Sequence, residues 1–208
     1  MPIDPWFAFV VASVALLLIP GPTILAVVSY SVAHGKRANV PLVAAVALGD
    51  STALALSLVG LSALLALSSF WFAVVKGVGG LYLLWLGVRL LRAGVRPAGI
   101  AEAPAVGSRR KLFANTWLVT ALNPKGIIFF VAFLPQFVDA SAPAAPQLWI
   151  LSLTFVALAT LNATLYAVFA ASSRRVLASP RAQRRFNLVG GSLLSLAGLW
   201  SLSARQTA

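Results

Sequence analysis

Leu17-Leu18-Ile19-Pro20-Gly21-Pro22-Thr23-Ile24 interrupts an apolar run from Pro5 to Ala33, and Leu122-Asn123-Pro124-Lys125-Gly126 interrupts another from Leu112 to Val138. Proline lacks a backbone donor and its ring clashes with the preceding turn, so each stretch breaks a helix. In lipid, the backbone groups freed at a break are tolerated only where protein or a water-filled cavity satisfies them. A pair of broken apolar helices in corresponding halves of a chain points to a transporter's binding site.

Composition agrees with a membrane setting. The chain has 208 residues, 60% hydrophobic and 10% charged, with a mean hydropathy of +0.93. A soluble domain carries about 25% charged residues. The apolar residues fall in runs at 5–33, 39–67, 70–93, 112–138, 147–171 and 186–204. Each approaches or exceeds the roughly 20 residues that cross a bilayer. The expected fold is an all-α integral membrane protein of six transmembrane helices, with helices 1 and 4 broken at the proline motifs. The first run does not read as a secretory signal. Its leader holds Asp4 and no Lys or Arg, and no short apolar core with a cleavage site follows. Trp6, Trp71 and Trp149 fall at span ends, as interfacial aromatics do.

The net charge of +12 does not form a nucleic-acid surface, because the basic residues cluster in loops rather than along one helix face. The first loop holds Lys36 and Arg37. The third, with its flanks, holds Arg89, Arg92, Arg96, Arg109, Arg110 and Lys111. The fifth holds Arg174, Arg175, Arg181, Arg184 and Arg185. The second and fourth loops have no Lys or Arg. Basic loops stay in the cytoplasm, which places the N- and C-termini outside an inner (plasma) membrane. Residues 94–111 read as a cytoplasmic linker and 139–146 as an external loop. With no cysteine, disulfides and thiolate metal sites are excluded.

Splitting the chain at the linker gives two three-helix repeats, 1–93 and 112–208. Val78-Gly79-Gly80 through Leu83 to Gly87 matches Val189-Gly190-Gly191 through Leu194 to Gly198. Asp50, Thr52 and Ala55 match Asn162, Thr164 and Ala167, and Gly21-Pro22 stands opposite Asn123-Pro124. Three spans per half force opposite topologies, the inverted repeat of many secondary transporters. The glycines also suit close helix packing, so spans three and six are expected to pack together or to form a homodimer face.

Asp50 is the only acidic residue inside a span. It lies about 11 residues, or 16 Å, from the cytoplasmic start of span two, near the bilayer middle. Gly21, Pro22, Asn123, Lys125 and Asn162 fall at similar depth. A buried membrane charge usually marks a substrate or proton path. Asp50 has two readings: a proton carrier or ligand for a substrate ammonium, or a structural mate for Lys125 or the broken ends. Lys125 either holds a substrate carboxylate or neutralises Asp50. Half-helix N-termini favour anions and C-termini favour cations, so a zwitterion suits a site with both, as a metal cation or a small osmolyte also would. Lys76 reads as a snorkelling side chain, and His34 as an interfacial structural residue. Tyr30, Thr52 and Tyr166 either line a cavity or bond neighbouring backbone. One His, no Cys and no phosphate loop leave no catalytic constellation and no cofactor or metal site.

Pro20-Gly21-Pro22-Thr23, Gly49-Asp50, Gly79-Gly80-Leu81-Tyr82-Leu83 through Gly87-Val88-Arg89, and Asn123-Pro124-Lys125 through Phe129 to Phe133-Leu134-Pro135-Gln136-Phe137 form one ordered set. With these motifs the chain resembles the LysE/RhtB amino-acid exporters. The resemblance covers residues 5–200. It implies proton-driven export of an amino acid or derivative across a bacterial inner membrane, centred on Pro22, Asp50, Asn123, Pro124 and Lys125. The partners expected are a small-molecule substrate, protons and lipids. The alternatives are cation or heavy-metal efflux on the same scaffold, an intramembrane enzyme, or a structural membrane subunit. One intramembrane acid and no Cys disfavour a tight metal site.

Orientation is open to direct test in this cysteine-free chain. Single cysteines replacing Ser108 and Ala178 are expected to resist a membrane-impermeant thiol reagent in intact cells, and one replacing Ala142 to react. Labelling at Ser108 in sealed cells would invert the topology.

Overall fold

A computed structural model describes residues 1–67, 69–92, 108–139, 141–170, 172–173 and 179–203. Among these the regular structure is entirely helical. The first apolar run forms α1 (Ile3–Leu18) and α2 (Pro22–His34), separated by the extended residues Ile19 to Gly21. Next come α3 (Asn39–Leu67) and α4 (Ser69–Arg92). The second broken run forms α5 (Arg109–Ala121) and α6 (Pro124–Phe133), bent by 42° and followed by a 3₁₀ turn at Leu134–Phe137. The chain ends with α7 (Ala144–Val168) and α8 (Pro180–Ser203).

Both prolines stand at the first position of the second half-helix. There the missing N–H costs nothing, and the fixed φ favours helix initiation. The residue before each is forced out of the helical region. Gly21 has φ −107° and ψ −175°, and Asn123 has φ −67° and ψ 110°.

Two stretches, Pro22–Gly60 and Ala144–Val168, are long and apolar enough to cross a membrane, and the bent α5–α6 pair supplies a third if it is one span. The protein is therefore an all-α membrane protein with several long apolar helices. Large aliphatic and aromatic side chains such as Phe7, Val40, Val59, Trp149 and Leu153 stand exposed on its outer faces, a distribution that water would penalise and lipid does not.

Three helices start at least three residues before the expected spans, among them α7, which begins at Ala144 inside the expected external loop 139–146. α5 begins at Arg109, where the Ser108 hydroxyl accepts the Lys111 backbone N–H and caps the helix. α8 begins at Pro180, so Arg181, Arg184 and Arg185 lie on a helix and not in a loop. The backbone continues as helix where side-chain polarity suggests the membrane ends. Most of the proposed linker 94–111, and Arg96, Arg174 and Arg175, lie outside the described residues. So do the side chains of Trp71 and Lys76.

The principal packings join the first half of the chain to the second. α4 lies along α8, and α3 lies against α5 and α7. A Cβ on Gly191 would stand 2.8 Å from the Gly87 carbonyl oxygen, so α4 and α8 touch backbone to backbone. These glycines serve packing between spans three and six. On one side of the molecule's middle lies an aromatic core of Phe9, Phe129, Phe130, Phe133, Phe137 and Phe155. The Phe129 and Phe133 rings stack at 4.1 Å. On the other side, smaller residues meet: Val27, Val46, Ala163 and Ala167.

Candidate functional site

Between these two regions the breaks of α1–α2 and α5–α6 meet α3 and α7 around a cavity of about 50 Å³. A water needs about 10–15 Å³ of such space, so the cavity admits a few waters or one small solute and not a bulky group. Its polar lining is Gly21, Thr23, Asp50, Asn123, Lys125 and Asn162. Five of the six candidate residues thus come together from the two breaks and from α3 and α7. Pro22 does not line the cavity, and neither do Pro20 and Pro124. The prolines act through the backbone, by ending one half-helix and starting the next.

The carbonyl end of α1 is closed by side chains from the second half of the chain. The Lys125 ammonium donates to Leu16 O at 2.7 Å and to Ile19 O at 2.6 Å. Asn162 Nδ2 donates to Leu17 O at 3.2 Å. A cation at a helix C-terminus also opposes the negative end of the helix dipole. Sequence reading offered Lys125 as a ligand for substrate or a mate for Asp50. The structure gives it a different partner, the broken end of α1. Two of its three N–H donors are used there, which leaves one.

The two half-helix N-termini are stapled to each other. Asn123 Oδ1 accepts the Lys125 backbone N–H at 3.1 Å, capping α6. Its Nδ2 donates to Thr23 Oγ1 at 3.1 Å, at the start of α2. The first intrahelical bonds are Leu25 N–H to Gly21 O and Ile127 N–H to Asn123 O. Among the described residues, the N–H groups of Thr23, Ile24 and Gly126 have no hydrogen-bond partner, and all three residues line the cavity. They are the orphan donors of two helix starts, and they favour an anion.

Asp50 faces this surface from α3. Gly49 lets α3 come close enough to α5 to place it, since a Cβ there would lie 2.6 Å from Thr120 Cβ and 3.0 Å from Trp117 O. Trp117 Nε1 also donates to Thr52 Oγ1 at 3.3 Å, tying the same two helices. Among the described residues no hydrogen bond or salt bridge reaches the Asp50 carboxylate. Its charged neighbour in the cavity is Lys125.

Other sequence candidates fall elsewhere. Thr52 donates to Leu48 O and accepts from Trp117. Tyr30 packs beside Ala38, Leu42 and Leu112, and Tyr166 against Val27 and Val46. None of these three lines the cavity, so the backbone-bonding and packing readings apply. His34 Nδ1 lies 3.2 Å from Tyr30 O, a local contact one turn away. Sequence reasoning missed Phe155, Ala159, Ile24 and Val46, which complete the apolar lining. Their helical spacing is that of ordinary packing residues, and only the break opposite them marks them out.

The capping role of Lys125 predicts a stability effect. Replacing Lys125 with Met keeps the stem and removes the donors, leaving Ile19 O without a partner. An orphaned buried acceptor costs about 1–3 kcal/mol, so thermal unfolding of the purified protein in detergent is expected several degrees lower. Gly21→Ala adds a methyl at ordinary contact, 3.4 Å from Lys125 Cδ, and is expected to leave the midpoint nearly unchanged. Equal stability of Lys125→Met and the parent would remove the capping role.

Comparison with known proteins shows the family. The family described as LysE type translocator matches residues 14–203. A homoserine/homoserine lactone efflux protein of Salmonella typhimurium is 32% identical over 209 residues, covering 99% of this chain and all of that protein. A leucine efflux protein of Salmonella choleraesuis is 30% identical over 138 residues, covering 66% of this chain and 65% of its own length. No solved structure matches. The chain therefore belongs to the LysE/RhtB family of amino-acid exporters, and it is a secondary efflux transporter of the membrane rather than an enzyme.

Proposed function

We propose that the chain exports an amino acid or amino-acid derivative from the cytoplasm by proton antiport, with the cavity at the two breaks as its substrate site. The observation that carries this reading is the placement of Asp50. An acid without a hydrogen bond among the described residues faces the orphan N–H groups of two half-helices across one small cavity. A zwitterion fits both sides. Its carboxylate meets the N–H groups of Thr23, Ile24 and Gly126 and the remaining Lys125 donor. Its ammonium meets Asp50. When the substrate leaves, Asp50 takes a proton in its place, which couples outward movement of one to inward movement of the other.

In this reading the chain forms six spans in an inner membrane, as two inverted three-helix repeats with both termini outside. Support comes from the pairing of like elements: each half contributes one broken helix whose second part starts at proline, and Asp50 and Asn162 stand at matching places on α3 and α7. The aromatic core then lies on the outer side of the cavity and closes the exit. A homodimer and bound lipids belong to the same proposal. Metal efflux is disfavoured because, among the described residues, no three His, Asp, Glu or Cys side chains gather.

The coupling role is tested on four variants in membranes with a defined proton gradient. Asp50→Asn is expected to insert at parental abundance and to reduce gradient-driven export to the empty-vector level. Asp50→Glu is expected to retain part of it. Lys125→Gln is expected to be impaired through loss of its cap on α1, and Asp50→Asn combined with Lys125→Gln is expected to be no better than either single change. Gradient-driven export by well-inserted Asp50→Asn would exclude the coupling role, and recovery in the double variant would make the pair structural.

A further inference from the structure

The cavity has four walls, and three of them carry a charged group or free helix-start N–H groups. The first break brings Thr23, the second brings Lys125 and Gly126, and α3 brings Asp50. The fourth wall is α7. It presents Phe155, Ala159 and Asn162, spaced four and three residues apart, which places them on one helix face. Asn162 turns its amide to Leu17 O. What α7 offers to the cavity is therefore an aromatic ring, a methyl group and the rest of a neutral amide.

Both apolar residues are held firmly. Phe155 and Ala159 are each 2% exposed. The Phe155 ring lies edge-on to Phe130 at 4.8 Å and 5.4 Å from Phe129, so it cannot swing away without disturbing the core. A zwitterion bound at its two charged ends to the breaks and to α3 has one substituent left, its side chain. Of the four walls, α7 carries neither a charged group nor a free helix-start N–H, so it is the wall left to that substituent.

Resting on the site proposed above, we infer that Phe155 and Ala159 determine which side chains the exporter accepts, and that the substrate's side chain is small and uncharged. The charge limit follows from the inventory. Asp50 is committed to the α-ammonium, and Lys125 gives two of its donors to Leu16 and Ile19. A second charge on the substrate would enter the cavity without a counter-charge, which a buried site strongly disfavours. The size limit follows from the volume of about 50 Å³ and from the fixed Phe155 ring.

The test is exchange of internal labelled amino acid for external alanine, leucine, phenylalanine or lysine in liposomes holding the purified full chain. The parent is expected to exchange alanine best and lysine least. Phe155→Leu enlarges the wall and is expected to raise the phenylalanine-to-alanine ratio by about tenfold; Ala159→Val fills it and is expected to lower the leucine-to-alanine ratio by a similar factor, the scale of one methylene in an apolar pocket. Phe155→Met and Ala159→Ser provide smaller changes with the same expected directions if either first variant fails to insert. Ratios within about twofold of the parent in exchanging variants overturn the role of α7. Lysine exchanged as well as leucine overturns the charge limit. In both cases the site itself stands. If the parent exchanges none of the four, the site reading falls and this inference falls with it.

Discussion

Everything in this structure depends on how two broken helices satisfy their loose ends inside the membrane. A helix end leaves up to four carbonyls or four N–H groups without partners, and lipid supplies none. The carbonyl end of α1 is closed by Lys125 and Asn162. The N–H ends of α2 and α6 are only partly closed, by Asn123 and its bond to Thr23. This asymmetry is what supports the proposed substrate site. One cation, Lys125, and the neutral Asn162 amide occupy the carbonyl end, while the N–H groups of Thr23, Ile24 and Gly126 stay free.

That arrangement ties folding to transport. Lys125 and Asn162 lie in the second half of the chain, and the carbonyls they cap lie in the first. The break in α1 therefore exists in its present form only when the halves are assembled. The extensive contacts run the same way, with α3 against α5 and α7, and α4 along α8. In the proposed repeat the halves are not separate bodies. In the proposed transport a movement of one half against the other passes through the breaks, because there the backbone is held by side-chain bonds instead of by its own ladder. The aromatic core on one side of the cavity and the smaller Val and Ala residues on the other give such a movement two unlike ends.

Much of this was legible in the sequence, and the parts that were not share a cause. The breaks were readable because proline acts locally, through its ring and its missing N–H. Convergence of Asp50, Asn123, Lys125 and Asn162 was readable because depth follows from counting residues along helices of known rise. The destination of the Lys125 side chain was not readable. Its acceptors lie 106 and 109 residues away, and no local pattern encodes such a pairing. Phe155 and Ala159 were hidden for another reason: they look like the packing residues around them until a cavity is known to lie beside them. The early starts of α5 and α8 were missed because hydropathy reports where lipid ends, and the helix backbone continues past that point.

The central claim is that amino acid binds among the half-helix N-termini at the breaks. The absence of native cysteine allows it to be tested at one atom. Gly126 lines the cavity, and an added side chain there would meet only Phe130 at 3.8 Å. A cysteine replacing Gly126 keeps the backbone N–H and offers a thiol inside the site. Its alkylation by a small membrane-permeant reagent is measured with and without exchangeable amino acid, beside a cysteine replacing the exposed Gly60, which has open space around it. Binding at the breaks predicts that amino acid slows labelling at position 126 and leaves position 60 unchanged. Equal rates at position 126 with and without a substrate that the same protein exports would contradict it.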